Sequence, residues 1–470
     1  MRKSARILFE KGIKWKGYDM KNLFNGNNKQ FYRSVVALVL PMALQNLINV
    51  AVTSADVVML GWVGETVLSA SSLAGQVQFV MTMFFFGLTS GASVLTAQYW
   101  GKGDTGTIEK VIGIAMRFSI CIGLLFMLAA LCVPELLMRI FTSEDAVISE
   151  GVIYLRIVAP SYLIISITMI YLNIMRSVER VIISTVVYSV SLVSNICINA
   201  VLIFGLFGFP ALGIAGAAIG TTVSRVIELC IVLVYSHKNP VVKIRPKLLF
   251  VHDKLLFRDF LRYSIPVTLN ELMWGAGFSM NSVIIGHLGS TVVAPNSVAQ
   301  VTRQLATVVA FGIANAAAIM IGKAIGENDN RRAEEYGRRF ISLTMIAGVA
   351  GAVVILLIRP IIMATMNLSD QAQEYLAFML IVMSYYVVAQ AYNTTMVVGI
   401  FRAGGDTKFG LALDVASMWG CSILIGFLCA FVWKLPVIVV YLVLMSDEVI
   451  KIPFTTWRYR TKCWLRNVTR

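Results

Sequence analysis

Charged side chains are scarce along this chain of 470 residues. Only 14% of the residues are Asp, Glu, Lys or Arg, whereas an ordinary soluble domain carries about a quarter. The 7 cysteines are scattered through apolar runs, which favours small core residues over a disulfide framework or a metal site. Residues 1–30 are basic and mixed rather than apolar, so we expect a cytosolic segment and no cleavable signal peptide.

Catalytic sequence signatures are also missing. The sequence contains no HExxH, GxxxxGK[ST], GxSxG or paired CxxC motif. These absences argue against hydrolytic, nucleotide-driven and metal-dependent chemistry. We therefore predict that the protein is not an enzyme and that it uses no cofactor.

Apolar residues are abundant instead, at 58% of the chain with a mean hydropathy of +0.77. A helix crosses the hydrocarbon core of a bilayer with about 20 mainly apolar residues. The sequence offers such stretches at 34–60, 67–99, 108–133, 151–176, 181–206, 211–236, 260–286, 291–322, 337–358, 371–401, 408–433 and 435–457. The predicted fold class is therefore an all-α integral membrane protein with twelve transmembrane helices.

An internal repeat divides these helices into two sets of six. Shifting the sequence by 225 residues superimposes GWVGETV on GHLGSTV and GKGD on GEND. Because each copy has an even number of spans, the two lobes should be related by a pseudo-two-fold axis along the membrane normal. The predicted segments are a basic N-terminal segment 1–33, an N-lobe 34–237, a linker 238–259, a C-lobe 260–457 and a basic tail 458–470.

The basic residues have a one-sided distribution. A net charge of +15 would suggest nucleic-acid binding in a soluble protein. Here about 34 of the 40 Lys and Arg residues fall in the tails, loops and helix ends of one membrane face, as the positive-inside rule predicts for the cytoplasmic side. We expect both termini in the cytoplasm, a cell membrane location in a bacterial inner membrane, contacts with membrane lipids and no nucleic-acid partner.

Ionisable residues within the predicted spans are functional candidates, because each is costly to insert. They are Asp56, Arg225, Glu228, Glu271, Arg303 and Asp414. Asp56 has Asn281 as its repeat counterpart, and Glu271 has Asn46, so the repeated fold itself does not require either carboxylate. Asp56 either binds a sodium ion or a proton or bonds a neighbouring helix, and Glu271 either faces a cation beside Trp274 or lies at the interface.

Other polar groups have structural or functional interpretations. Arg225 and Glu228 lie three residues apart on one helical face, which predicts an ion pair. The Asp447, Glu448 and Lys451 group is predicted as an ion-pair cluster at the inner membrane face. Asn195 and Asn199 share a face of the fifth span, where their oxygens suit either a hard cation or an interhelical hydrogen bond. The role of Asp414 is left open.

Several motifs in order resemble the multidrug and toxic compound extrusion (MATE) family, closest to its NorM-type branch. They are DVVMLG after Pro41, GWVGETVLSASSLAGQ, GLTSGASVLTAQYWGKGD, LIFGLFGFPALGIAGAAIGTTVS and FRAGGDTKFG. The resemblance extends almost end to end. It implies a V-shaped central cavity between two six-helix lobes and export of small organic cations by alternating access, in antiport with sodium or protons, by a functional monomer.

The resemblance also assigns residues. Asp56, Asn195, Asn199 and Thr221 match a cation site in the N-lobe, and Glu271 matches the acidic residue of the seventh span. The tenth span lacks the branch's aspartate, so Asn393 is only a substitute candidate there. The predicted substrate cavity comprises Gln45, Asn270, Trp274, Asn281, Arg303 and Asn393.

Two other functional classes compete with this one. A lipid-linked oligosaccharide flippase of a related two-lobed fold would need several cationic residues in its cavity to meet phosphate. A membrane receptor or scaffold that transports nothing would not need two matched halves with a carboxylate in only one of each twin pair.

Overall fold

The computed structural model describes residues 26–239, 241–250, 253–366 and 369–469, and these residues form helices and connecting loops without a strand. The first half contains α1 Gly26–Val63, α2 Glu65–Lys102, α3 Thr105–Cys132, α4 Asp145–Ser177, α5 Val181–Phe204 and α6 Ile214–Lys238. The second half contains α7 Lys254–Gly286, α8 Ser290–Gly326, α9 Asn330–Thr365, α10 Asp370–Phe401, α11 Thr407–Val432 and a twelfth span made of α12 Val437–Leu444 and α13 Asp447–Arg460. Most of the predicted N-terminal segment lies outside the described residues.

Twelve rods thus cross the molecule, as predicted. Within the described ranges, ten helices are long and apolar enough to span a membrane. The seventh rod, α7, is long enough but more polar, and the twelfth is divided into pieces of 8 and 14 residues. The protein is a multi-pass membrane protein with a two-lobe layout.

The repeated tetrapeptides GKGD and GEND form the turns that end α2 and α8. Their third residues, Gly103 and Asn328, adopt left-handed backbone angles with φ of 80° and 60°. Gly and Asn are the residues that tolerate this conformation best after a helix. The fourth residue caps the next helix: Asp104 accepts the backbone N–H of Thr107 at 2.9 Å, and Asp329 plays the same part in the second copy.

The first residues of the two tetrapeptides bring α2 and α8 into backbone contact. A Cβ atom on Gly101 would lie 2.1 Å from the carbonyl oxygen of Lys323, and one on Gly326 would lie 1.9 Å from that of Gln98. No side chain fits at either position. We call this contact between the lobes the glycine seam, and the end of the bundle that holds it, together with the basic loops and the tail, the basic end.

Hydrophobic clusters show how the lobes are joined. At the basic end, one cluster packs Phe260 and Val468 against α2, α3 and α4, and another packs Phe31 and Val35 against α8, α9 and α10. At the opposite end, one cluster belongs to the N-lobe alone and another to the C-lobe alone. The lobes therefore meet at the basic end and separate toward the other end, which gives a V-shaped molecule with a central cleft.

Candidate functional site

A central cavity of about 600 Å³ lies between the lobes. The N-lobe contributes side chains of α1, α2 and α4, and the C-lobe contributes α7, α8, α10, α11 and α13. Apolar residues such as Met83, Phe86, Trp274 and Phe311 alternate with polar ones along its wall. A cavity of this size suits a drug-sized molecule with both apolar and polar parts.

Glu271 lies on this wall, where it forms an ion pair with Arg402. The Arg402 guanidinium donates to Glu271 Oε1 at 2.9 Å and to Ser90 Oγ of the N-lobe at 3.0 Å. Arg402 follows directly after α10 and is buried. The carboxylate predicted from the sequence is therefore held by a basic residue that the sequence reasoning did not single out.

The Asp447, Glu448 and Lys451 cluster is not at the inner membrane face, and that prediction is corrected. Glu448 and Lys451 line the central cavity, and Lys451 is 2% exposed. Lys451 Nζ lies 3.0 Å from Asp414, 3.3 Å from Asp447 and 3.1 Å from Glu448. The twelfth span breaks at residues 445 and 446, so α13 begins deep in the bundle and places its first turn against the cavity wall.

The break itself is stabilised by a side chain of the neighbouring span. Where α12 ends, Ser422 Oγ donates to the carbonyl oxygens of Val443 at 2.8 Å and Leu444 at 2.6 Å. Asp447 and Glu448 occupy the first turn of α13, where the helix dipole favours negative charge.

Amide side chains hold the acidic groups of this wall. Asn393 Nδ2 donates to Glu448 Oε2 at 2.8 Å, and Asn270 Nδ2 donates to Asp414 Oδ2 at 2.8 Å. Both amides line the cavity, as does Trp274. The structure thus brings Asn270, Trp274 and Asn393 of the predicted cavity set together on one wall.

Arg303 lies on the same wall, on α8. Its Nε–H donates to Gln300 Oε1 at 2.9 Å and its Nη1–H to Gln390 Oε1 at 3.0 Å. The guanidinium carbon is 4.8 Å from the ring centre of Phe278 and 5.9 Å from that of Tyr386. The partners of this arginine are therefore neutral oxygens and aromatic faces.

A second polar site lies within the N-lobe, away from the cavity lining. Asn199 Nδ2 donates to Asp56 Oδ1 at 2.6 Å and to Asn195 Oδ1 at 3.3 Å, and Asn195 Nδ2 donates to Thr221 Oγ1 at 3.4 Å. Helices α1, α5 and α6 supply these four residues. The structure therefore brings together all four residues of the predicted N-lobe cation set.

One atom of this site has an unused lone pair. Because the Asn199 amide nitrogen faces two acceptor oxygens, its Oδ1 points the other way, where it is buried without a hydrogen-bond partner in the described part of the chain. Oδ1 packs against Gly220, and a Cβ atom there would lie 1.9 Å from it. A buried acceptor without a partner costs about 1 to 3 kcal/mol, and a cation beside Asp56 would reach this oxygen only after the amide rotates.

The predicted ion pair of Arg225 and Glu228 is confirmed, with 2.7 Å between Nη1 and Oε2. Both residues belong to α6, the helix that supplies Thr221 to the Asp56 site.

Two residues of the predicted cavity set are not among those that line it. Gln45 is buried between α1 and α5, where its amide donates to Thr185 Oγ1 at 2.9 Å, because that face of α1 packs on α5. Asn281 lies on α7 beyond Trp274, the last residue of this helix to reach the cavity wall. The predictions for Gln45 and Asn281 are corrected accordingly.

The sequence reasoning missed two basic residues of the cavity wall, Arg176 and Arg402. Both stand near predicted helix ends, where basic residues are ordinary. The ion pairs of Lys451 with Asp447 and Glu448 were predicted from their spacing and are confirmed, but the position of Lys451 on the cavity wall was not predicted.

Two lobes of six spans around a central cavity, with buried charged groups in both lobes, are the architecture of a membrane transporter. The sequence model of the MatE family matches residues 41–201 and 266–428 of the chain, and the two matched segments begin 225 residues apart, as the internal repeat does. The chain belongs to the MatE family.

Curated relatives are similar over most of their length. A probable multidrug resistance protein, YoeA of Bacillus subtilis, is 23% identical over 87% of this chain and 89% of its own. A probable multidrug resistance protein NorM of Rhizobium meliloti is 26% identical over 86% and 87%. An uncharacterized transporter, YisQ of Bacillus subtilis, is 24% identical over 92% and 95%.

Solved structures share the fold. A MOP superfamily transporter from Pyrococcus furiosus superimposes with a TM-score of 0.81 at 19% identity, covering 91% of this chain and 95% of that one. A multidrug resistance MATE family transporter in an outward-facing conformation gives the same score, identity and coverage. The V shape that is open opposite the basic end is thus a known arrangement of this fold.

Proposed function

We propose that the protein is a multidrug efflux transporter that exports small organic cations in antiport with sodium or protons. Cargo occupies the central cavity between the lobes, and the coupling ion occupies the N-lobe site around Asp56. The observation that carries the proposal is the separation of these two places: a cavity of about 600 Å³ between the lobes and a distinct carboxylate site inside one lobe.

The ion site is supported by its donor set. Asp56 supplies a carboxylate, and Asn195, Asn199 and Thr221 supply neutral oxygens, which are the ligands that a hard cation prefers. A sodium ion would use several of these oxygens together, whereas a proton would need only the Asp56 carboxylate.

The direction of export follows from orientation. The basic end carries the excess of Lys and Arg, which places it in the cytoplasm by the positive-inside rule. The described conformation is closed there by the glycine seam and open on the other side, so it would release cargo outward. Binding of the ion at Asp56 from outside would favour the return to an inward-open state.

The cavity charges bear on the flippase alternative. Four basic side chains line the cavity, but Arg402 and Lys451 are paired with carboxylates. Within the described residues only Arg176 and Arg303 of this wall lack a carboxylate partner. A lipid-linked oligosaccharide flippase would need more free positive charge, so this alternative is not favoured.

The testing experiment is ethidium efflux from proteoliposomes, with a sodium gradient and a pH gradient imposed separately. Efflux driven by one gradient would identify the coupling ion. Asp56→Asn should abolish gradient-driven efflux while leaving the protein folded, because the amide can neither balance a sodium charge nor exchange a proton.

A matched control is Asp145→Asn, because the Asp145 side chain is 90% exposed at the first residue of α4 and belongs to neither site. This variant should transport like the wild type. Unchanged gradient-driven efflux by Asp56→Asn would remove that carboxylate from the mechanism, and absence of efflux by the wild type under either gradient would refute the proposed function.

A further inference from the structure

Arg303 is a buried charge in the middle of a transmembrane helix. It is 3% exposed, and it belongs to the wall of the central cavity. Placing a guanidinium in a bilayer-spanning helix costs about 2.5 to 3.5 kcal/mol on insertion scales. A membrane protein retains such a group where an ion-pair partner or a functional role compensates for this insertion cost.

The described residues provide no acidic partner for it. No carboxylate oxygen of the described chain lies within 4.0 Å of the Arg303 guanidinium, although the three carboxylates of the same wall, Glu271, Asp414 and Glu448, are each paired with another basic group. The positive charge of Arg303 is therefore left over after the internal ion pairs of the cavity wall have been assigned.

The geometry holds the guanidinium in one orientation. Gln300 and Gln390 fix two of its five N–H groups, and Phe278 and Tyr386 lie against it. A planar guanidinium with N–H groups to spare is suited to a bidentate contact with a carboxylate or a similar oxyanion. Because the partner amides restrict its movement, little side-chain entropy would be lost when the anion binds.

An acidic group lies close by on the same wall. Gln390, which holds Arg303, and Asn393, which holds Glu448, are three residues apart on one face of α10. Asp414, Asp447 and Glu448 share the single charge of Lys451, so this part of the wall has more acidic than basic groups. The wall is thus dipolar, with Arg303 on one side and the Lys451 cluster on the other.

We infer that Arg303 is an anion subsite of the cargo cavity and that the cargo includes zwitterionic amphiphiles, whose carboxylate or sulfonate contacts Arg303 while their cationic part faces the Lys451 cluster. The inference rests on the proposed function, because it takes the central cavity as the cargo site. It assigns one residue of the cavity wall to the recognition of those organic cations that also carry an oxyanion.

The test compares two dyes that differ only in this oxyanion: a rhodamine with a free benzoate and the methyl ester of the same rhodamine. Binding to the purified protein is measured by fluorescence anisotropy, so it does not depend on transport. Arg303→Gln should weaken binding of the free acid about tenfold or more, or about 1.4 kcal/mol, and binding of the ester less than about twofold. Glutamine is the residue at the matching repeat position, Gln78, which makes it a tolerated substitution.

Two further variants complete the design. Arg303→Lys keeps the positive charge but loses the planar guanidinium that can donate two parallel hydrogen bonds. Its affinity for the acid should therefore fall between those of the wild type and Arg303→Gln. Arg156→Gln changes an exposed arginine of α4 and should bind both dyes like the wild type.

Several outcomes would overturn the inference. They are absence of binding of the free acid by the wild type, equal affinity of the wild type and Arg303→Gln for it, and equal weakening of both dyes. The assay is repeated with added chloride or inorganic phosphate, which should weaken binding of the free acid and leave binding of the ester unchanged. Equal weakening of both dyes by these ions would overturn the role of Arg303 toward cargo. Failure of ethidium efflux would instead count against the proposed function.

Discussion

Gly220→Ala is the sharpest test of the proposed N-lobe ion site, because it adds one methyl group beside the residues proposed to bind the ion without removing any of them. The new Cβ would lie 1.9 Å from Asn199 Oδ1 and 3.0 Å from Asn199 Cγ. Two non-bonded heavy atoms cannot lie 1.9 Å apart, so the Asn199 amide must rotate or shift.

The magnitude follows from the contact that this movement breaks. Asn199 Nδ2 donates to Asp56 Oδ1 at 2.6 Å, a hydrogen bond to a charged group. Such bonds contribute about 1.5 to 3 kcal/mol, and about 1.4 kcal/mol corresponds to a factor of ten in affinity. Because this bond stabilises Asp56 in its charged, ion-free form, its loss should make a proton bind about tenfold more tightly. A sodium ion that uses the displaced Asn199 oxygen as a ligand should bind more weakly, and the affinity for ethidium should change little in either case.

The assay measures ethidium transport in proteoliposomes as a function of the concentration of the coupling ion. Gly75→Ala is the matched control, because it makes the same change in a transmembrane helix where nothing lies within 4 Å of the new Cβ. A Gly220→Ala protein that folds normally and needs the same concentration of the ion as Gly75→Ala would refute the reasoning.

Two further predictions concern stability in detergent. Lys451→Met should lower the free energy of unfolding by about 3 to 5 kcal/mol, because it leaves three carboxylates without their buried cation. Adding Glu448→Gln to this variant should recover part of the lost stability. If Lys451→Met alone is as stable as the wild type, the ion pairs of Lys451 do not stabilise the fold. Asp104→Ala should cost about 1 kcal/mol at neutral pH through loss of the helix cap. Burial tends to raise the pKa of Asp104, but hydrogen bonds from Thr107 and nearby lysines outweigh it and hold that pKa below its ordinary value. The contribution of the Asp104 carboxylate to the free energy of unfolding is therefore present above the ordinary pKa of about 4 and is lost as the pH falls through the lowered pKa. If the difference in stability between the wild type and Asp104→Ala does not shrink in acid, the carboxylate does not have this role.

The fold was predictable because its signals are local or repeated. Apolar length gave the twelve spans, and the 225-residue repeat gave the two lobes. The structure adds the physical reason for the repeat's most visible motif. In both GKGD and GEND the first residue allows close backbone approach, the third adopts left-handed backbone angles and the fourth is an aspartate that caps the next helix. These are requirements of the local backbone structure rather than of a function.

The candidate site was only partly predictable, because pairing between distant spans leaves little mark on a single sequence. Glu271 stood out as an acidic residue in an apolar span, but its partner Arg402 is 131 positions away in the chain. The depth of Lys451 depends on a break in the twelfth span, which the apolar run 435–457 conceals. The Asp56 set was identified through family resemblance, and the residues alone left its role open.

The glycine seam has a consequence for how the two lobes come apart. Where backbones meet through Gly101 and Gly326 there are no interlocked rotamers to rearrange, and each atom pair that separates forfeits only about 0.1 to 0.2 kcal/mol of dispersion energy. Gln98, beside the seam, acts instead as a polar latch: it donates to the carbonyl oxygens of Ala403 and Arg466 and accepts the N–H of Val468. At about 0.5 to 1.5 kcal/mol for each hydrogen bond, the three bonds of the latch add only a small barrier to separation of the lobes at this point.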